Sequence, residues 1–102
     1  MPFPYVEQGT EFNLLGLRGG GHTQPGQNVY AVGSIADLGG WNPERAALLS
    51  AVAYPVWQGS IAVPPGSSFE WKCVKREGSE VVWQPGPNNL YPGSGSVTRG
   101  SF

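Results

Sequence analysis

Two tryptophans lie beside turn-forming residues, which is an unusual place for a large apolar side chain. Trp41 follows two glycines and precedes an Asn-Pro pair, and Trp83 shortly precedes a Pro-Gly-Pro run. Turns of this composition run over the protein surface. An indole exposed there offers an apolar face and one N–H group at a small entropic cost. Such a ring can stack on a flat ligand, and nucleobases and sugar rings are the flat ligands to consider.

The surrounding charge and polar side chains favour a sugar over a nucleobase. The formal net charge is -1, so no electrostatic attraction to nucleic acid or to an anionic membrane is expected. A pyranose presents C–H groups on its face and hydroxyls around its edge. Gln84, Asn88 and Asn89 follow Trp83 closely and could meet those hydroxyls. We therefore expect no nucleic-acid partner and no membrane partner.

The residues that could perform catalysis do not form a recognisable set. The seven acidic residues show no pairing of the kind that a glycosidase needs. The one histidine, His22, lies in a glycine-rich loop and is far in sequence from the one cysteine, Cys73. Clusters of Cys and His that could hold a metal ion are lacking as well. The sequence predicts a protein that is not an enzyme and needs no cofactor.

The elements that must position these side chains are short strands. The chain has 102 residues, with 16 glycines and 10 prolines against 39% hydrophobic residues. This composition indicates one compact domain with many tight turns. Strand-like runs occupy residues 10–17, 28–35, 56–64, 67–77, 80–84 and 95–102. They predict an all-β fold, an antiparallel β-sandwich or open-sided barrel of about seven to eight short strands.

Three further expectations concern connections and the core. The Pro-Pro-Gly stretch at 64–66 predicts an antiparallel hairpin between 56–64 and 67–77, and Gly78-Ser79 predicts a second hairpin with 80–84. Segment 43–52 predicts one turn or an irregular edge strand. The predicted core comprises Phe12, Leu14, Val29, Ala31, Trp57, Ile61, Val63, Phe69, Trp71 and Cys73. Alternation along 69–74 places Glu70, Lys72 and Val74 on the opposite face.

Several motifs together resemble a known family. "NVYAVGSIADLGGW", "SFEWKCVKRE" and "VVWQPGPNN" occur in this order and spacing. Over about residues 28–91 the chain resembles carbohydrate-binding module family 20, the starch-binding domains, and is most like those at the C-terminus of bacterial maltotetraose-forming amylases. The resemblance implies an immunoglobulin-like sandwich that is a non-catalytic module. It also implies binding of starch, maltooligosaccharides and cyclodextrins, and a monomer linked covalently to a secreted amylase.

The resemblance also implies two starch sites. The first corresponds to Trp41, Lys72, Trp83, Gln84 and Asn88. The second corresponds to Tyr54, while its other aromatic position falls near Pro25, so this second site could be weakened, remodelled or lost.

The start of the chain and two other classes of function complete the expectations. The N-terminal "MPFPYVEQGT" lacks the features of a signal peptide. We expect residues 1–102 to be a single starch-binding domain cut from a larger secreted amylase. One alternative is a sandwich that binds protein, with Trp41 and Trp83 as anchors. The other is a small hydrolase whose acids converge only in the folded state.

Overall fold

Two β-sheets form the molecule. The computed structural model describes residues 13–64 and 66–102, and within these it contains nine strands and two short 3₁₀ helices. Sheet A has the order β4 (Ser50–Ala53), β5 (Val56–Val63), β1 (Asn13–Gly20), β9 (Val97–Ser101). Sheet B has the order β3 (Ala47–Leu48), β2 (Asn28–Gly33), β6 (Phe69–Glu77), β7 (Glu80–Trp83), and β8 (Asn89–Tyr91) also pairs with β6.

This arrangement confirms the predicted β-sandwich. All strand pairs are antiparallel except β1 with β9, which run parallel. The hairpin between β6 and β7 is confirmed, and Gly78 in its turn has a φ of 58°. The predicted hairpin between 56–64 and 67–77 is wrong, because β5 belongs to sheet A and β6 to sheet B. The stretch that contains Pro64 and Gly66 therefore carries the chain from one sheet to the other.

The core lies between the two sheets. Its buried members are Leu15, Leu17, Val29, Ala31, Leu38, Leu49, Trp57, Val63, Phe69, Trp71, Cys73 and Tyr91, with Ile61 packed against them. The Trp71 Nε1–H donates to Thr98 Oγ1 at 2.9 Å, which joins the sheets by a buried hydrogen bond. The predicted core roles of Trp57 and Trp71 are confirmed, whereas Phe12 and the side chain of Leu14 lie outside the described part of the chain.

The outward face of sheet B has its own small apolar cluster. Val74 was expected to point away from the core, and it is nevertheless fully buried. Its register partners are Tyr30 on β2 and Trp83 on β7, and cross-strand partners project from the same face of a sheet. The two aromatic rings therefore flank Val74 on a face that also carries Lys72.

Two short helices connect β2 to β3 within sheet B. They are η1 (Ala36–Trp41) and η2 (Pro43–Arg45). Segment 43–52 was predicted to form one turn or an irregular edge strand, and it contains both: the helical turn η2 and the short edge strands β3 and β4. Leu38 of η1 is fully buried, so this connection is anchored to the core between its two ends.

Candidate functional site

Trp41 ends a backbone segment that few residues can adopt. Gly39, Gly40 and Trp41 have φ angles of 82°, 58° and 70°. Left-handed backbone is easy for glycine and costly for a bulky side chain. A Cβ atom on Gly39 would lie 2.8 Å from the carbonyl of Arg45, so only glycine fits there. Trp41, the last residue of this strained segment, is half-buried.

The next turn fixes this segment to sheet B. Asn42 caps η2, where its Oδ1 accepts the N–H of Glu44 at 3.0 Å. The Arg76 guanidinium donates to the Pro43 carbonyl at 2.7 Å and lies 4.2 Å from the centre of the Tyr30 ring. A side chain of β6 thus holds the helix that directly follows Trp41.

The loop from 84 to 88 leaves the sheet between β7 and β8. Lys72, in the middle of β6, donates to the Gln84 carbonyl at 2.9 Å and to the Gly86 carbonyl. An ammonium has three donors, so among the described residues one N–H of Lys72 remains for a ligand. Trp83 precedes this loop and is 41% exposed, which is high for a tryptophan at the end of a strand. Lys72 therefore holds the loop that connects Trp83 to Asn88.

Gln84 is placed differently from the other predicted site residues. Its side chain is buried, its Oε1 accepts the N–H of Cys73 at 2.9 Å, and its amide bonds with that of Asn89 at 2.9 Å. The Gln84 N–H also donates to the Cys73 carbonyl at 2.9 Å. Gln84 therefore continues the hydrogen bonding along the edge of β6 after β7 ends at Trp83. Its direct contact with a ligand stays a prediction.

Asn88 and Trp41 border the same cleft. This cleft has a volume of about 470 Å³ and is lined by Ser34, Trp41, Ser68, Phe69, Glu70, Asn88 and Leu90. Asn88 Nδ2 donates to Glu70 Oε1 at 2.8 Å. The Glu70 N–H donates to Ser34 Oγ at 3.1 Å. The bond to Glu70 uses the Asn88 amide nitrogen and leaves its carbonyl oxygen able to accept a ligand hydroxyl.

Sequence reasoning placed Glu70 on the Lys72 face without assigning it a role at the site. The pattern of buried residues at 69, 71 and 73 was the available signal. What the pattern could not show is that Asn88, 18 positions further along the chain, would bond to that carboxylate. The structure therefore brings four predicted residues to sheet B and its loops: Trp41, Lys72, Trp83 and Asn88.

Tyr54 lies on a separate surface, in the turn between β4 and β5 of sheet A. It is 47% exposed. Its Oη accepts the N–H of Thr23 at 3.2 Å. The His22 ring meets it edge-on, with centroids 5.8 Å apart, and the buried Trp57 ring lies 6.4 Å away on the inner side. The loop that contains Pro25 therefore supplies an imidazole beside Tyr54.

The chemistry of the remaining reactive groups is limited. Burial raises the pKa of the Cys73 thiol from 9.0 to about 12, so the thiol is protonated at neutral pH and is a poor nucleophile. In residues 13–64 and 66–102, no three His, Cys, Asp or Glu side chains cluster as metal ligands would. The described part of the chain also has no helix long and apolar enough to cross a membrane.

Comparisons with known proteins agree with this geometry. The family model described as "Starch binding domain" matches residues 11–101. The chain is 44% identical over 88 residues to the glucan 1,4-alpha-maltotetraohydrolase of Roseateles saccharophilus, covering 80% of this chain and 16% of that protein. It is 41% identical over 87 residues to the cyclomaltodextrin glucanotransferase of Klebsiella oxytoca, covering 80% of this chain and 13% of that protein.

A solved structure is equally similar. The family 20 carbohydrate-binding module of the maltotetraose-forming amylase from Pseudomonas saccharophila STB07 superimposes with a TM-score of 0.80 at 43% identity, covering 87% of this chain and 99% of that one. The β-sandwich fold, the family match and the match to this solved module together identify a non-catalytic carbohydrate-binding module. This chain belongs to the starch-binding domain family, carbohydrate-binding module family 20.

Proposed function

We propose that this module binds α-1,4-linked glucan chains on sheet B, through Trp41, Trp83, Lys72 and Asn88. The observation that carries the proposal is the conformation of Trp41. A residue with φ of 70° after two left-handed glycines costs free energy, and packing alone would not require its ring beside a polar cleft. The cost is understandable if the ring must be presented to a ligand.

The two indoles supply most of the binding free energy in this proposal. The C–H face of one glucose stacks on Trp41 and that of a neighbouring glucose stacks on Trp83. Rings carried by separate loops suit the curved path of an α-1,4-glucan better than the flat ribbon of cellulose. The remaining N–H of Lys72 and the amide oxygen of Asn88 then bond to hydroxyls and fix the register of the chain.

Gln84 and Glu70 act as positioning residues in this account. Gln84 anchors the start of the 84–88 loop to Cys73, and Glu70 orients the amide of Asn88. Neither side chain needs to touch the sugar. Gln84 bonds to Cys73 of β6, and Glu70 bonds to the site residue Asn88. A site held before the ligand arrives loses less side-chain entropy on binding.

Tyr54 is proposed as the centre of a second, separate starch site. One exposed phenol ring with an imidazole at its edge offers a single stacking face. We expect it to bind more weakly than the tryptophan pair, since it buries less aromatic area.

The relatives support a proposal for the setting of the module. The chain spans only 16% and 13% of the two curated relatives described above. We propose that it is tethered to the catalytic domain of a secreted amylase, is monomeric, and also binds cyclodextrins. Two stacked glucoses give affinities of roughly micromolar to millimolar. A tethered module raises the local substrate concentration, which benefits granular starch most.

Adsorption to starch granules tests the proposal. We expect Trp41→Ala and Trp83→Ala each to reduce the bound fraction by about tenfold, since each removes one stacked ring. Val52→Ala is the matched control, because Val52 is 82% exposed on β4 of the other sheet. Unchanged adsorption of both tryptophan variants would overturn the site and favour a protein partner at these rings.

A further inference from the structure

A row of polar side chains crosses the outer face of sheet A. The register aligns Ser50 with Gln58, Gln58 with Arg18, and Arg18 with Arg99, on four adjacent strands. Neighbours of these residues in sequence, such as Leu17, Trp57 and Thr98, are buried, so the row projects away from the core. Arg18 and Arg99 are register partners on adjacent strands, which lie about 4.8 Å apart, and both side chains project from this face.

A cleft of about 490 Å³ lies along the part of this row formed by Ser50, Gln58 and Arg18. Its lining includes Gly16, Arg18, Ser50, Gln58, Ser60 and Ser96. Gly16 forms part of the floor: a Cβ atom there would lie 3.2 Å from Arg18 Nη1. Hydroxyl and amide groups surround a guanidinium in this cleft, and together they provide both donors and acceptors.

Arg18 is held in place with donors to spare. Its Nη1 donates to the Leu17 carbonyl at 3.3 Å and to the Gly59 carbonyl at 3.5 Å. Among the described residues these bonds engage Nη1 alone, which leaves Nε and Nη2 for a ligand. A guanidinium fixed through one nitrogen presents its other edge in a defined direction, as bidentate recognition of an oxyanion needs.

The distribution of charge favours an anion on this face. Every acidic side chain of the described residues belongs to sheet B or to the two helices beside it, namely Asp37, Glu44, Glu70, Glu77 and Glu80. Arg18 and Arg99 are the charged residues of the described part of sheet A. The described strands of sheet A therefore carry only positive side-chain charges, whereas sheet B and its two helices carry charges of both signs.

We propose that the Arg18–Arg99 row binds a phosphate monoester carried on a glucose unit. The arginines would bind the phosphate oxygens, while Ser50, Ser60 and Gln58 would bond to the sugar hydroxyls. The choice of a sugar as part of the ligand rests on the proposed function, whereas the choice of an anion rests on the arginine row itself. The row lies on the opposite sheet from the tryptophans, so a phosphorylated glucan could be held without displacing the chain stacked there.

Nuclear magnetic resonance titration of the full chain with glucose 6-phosphate tests the proposal. We expect saturable shifts of backbone amides in 16–18, 58–60 and 96–99. Inorganic phosphate should bind more weakly at the same amides, and glucose should leave them unchanged. The affinity should rise through about pH 6, where the phosphate takes its second charge while arginine does not titrate.

Variants separate this site from general charge attraction. The double variant Arg18→Gln/Arg99→Gln should weaken glucose 6-phosphate binding by about tenfold or more. If the double variant is unstable, the single variant Arg99→Gln tests the same site. Arg45→Gln, which removes an exposed positive charge beside sheet B, is the control and should change the affinity by less than about twofold. Maltoheptaose binding should be unchanged in all of them.

Three results would overturn the proposal. They are shifts confined to the neighbourhood of Trp41 and Trp83, an equal loss in Arg45→Gln, and equal affinities for inorganic phosphate and glucose 6-phosphate. Failure of the starch-binding function would be seen separately, as a lack of response to maltoheptaose in the unchanged protein.

Discussion

The Lys72 ammonium lies 2.9 Å from the carbonyl oxygen of Gln84, across the point where the chain leaves sheet B. A second bond reaches the Gly86 carbonyl. Lys72 is therefore engaged with the protein, and its contribution to binding includes holding the loop between Trp83 and Asn88. A residue expected to donate to sugar hydroxyls also builds the site that receives them.

Replacing Lys72 should lower affinity by loosening this loop. Lys72→Met keeps most of the aliphatic stem and removes bonds to two carbonyls, so maltoheptaose affinity should fall by about tenfold. Amide hydrogen exchange in 84–88 should speed up in the same variant. Lys75→Met is the control, because Lys75 Nζ lies over the Phe102 ring at 4.3 Å, away from the loop. Reduced affinity with unchanged exchange would mean that Lys72 acts on the sugar alone.

The two glycines before Trp41 should differ in their tolerance of a side chain. Gly39→Ala should cost more than about 2 kcal/mol, because its Cβ adds a contact with the Arg45 backbone to the strain of a left-handed φ. Gly40→Ala meets no atom within 4 Å and should cost only the strain, about 1–2 kcal/mol. Urea unfolding measures both, and equal losses would contradict the account.

Gln84 should matter for stability as much as for binding. Gln84→Leu leaves the buried N–H of Cys73 without its partner, which should cost about 1–3 kcal/mol in the free energy of unfolding. Gln24→Leu, at an exposed position, should cost less than about 0.5 kcal/mol. A Gln84 variant with unchanged stability and weaker glucan binding would show instead that this side chain contacts the ligand.

The buried thiol should make stability depend on alkaline pH. Since burial raises the pKa of Cys73 from 9.0 to about 12, the thiol is protonated in both states below pH 9.0. Above that value the unfolded chain loses the proton and the folded chain keeps it. Stability should then fall by about 1.4 kcal/mol per pH unit until the folded pKa is reached. Urea unfolding of Cys73→Ala should lack this component, and identical pH profiles for the two proteins would refute it.

The sequence predicted those parts of the fold that depend on local alternation. Phe69, Trp71 and Cys73 share the core face because side chains alternate along a strand. In β1 the sequence pattern is ambiguous because Leu14 and Leu15 are consecutive, and the structure shows that Leu15 and Leu17 enter the core. The path from β5 to β6 was mistaken for a hairpin, since a short proline-rich link can turn within a sheet or cross between sheets.

The site was predictable in its residue types and not in its bonding. Trp41 and Trp83 were recognisable as residues near the surface because turn formers surround them. The inward turn of Gln84 depends on the gap between β7 and β8, and β8 itself is only three residues long. Contacts of this kind join residues that are distant in sequence, so no local pattern reports them.

Titration with maltoheptaose, followed by tryptophan fluorescence with cellohexaose as the control, tests the central claim most directly. The account predicts a saturable change with maltoheptaose in the roughly micromolar to millimolar range and none with cellohexaose. It also predicts that Trp41→Ala and Trp83→Ala each remove most of the change. No response to maltoheptaose, or an equal response to cellohexaose, would contradict an α-glucan site at these two rings.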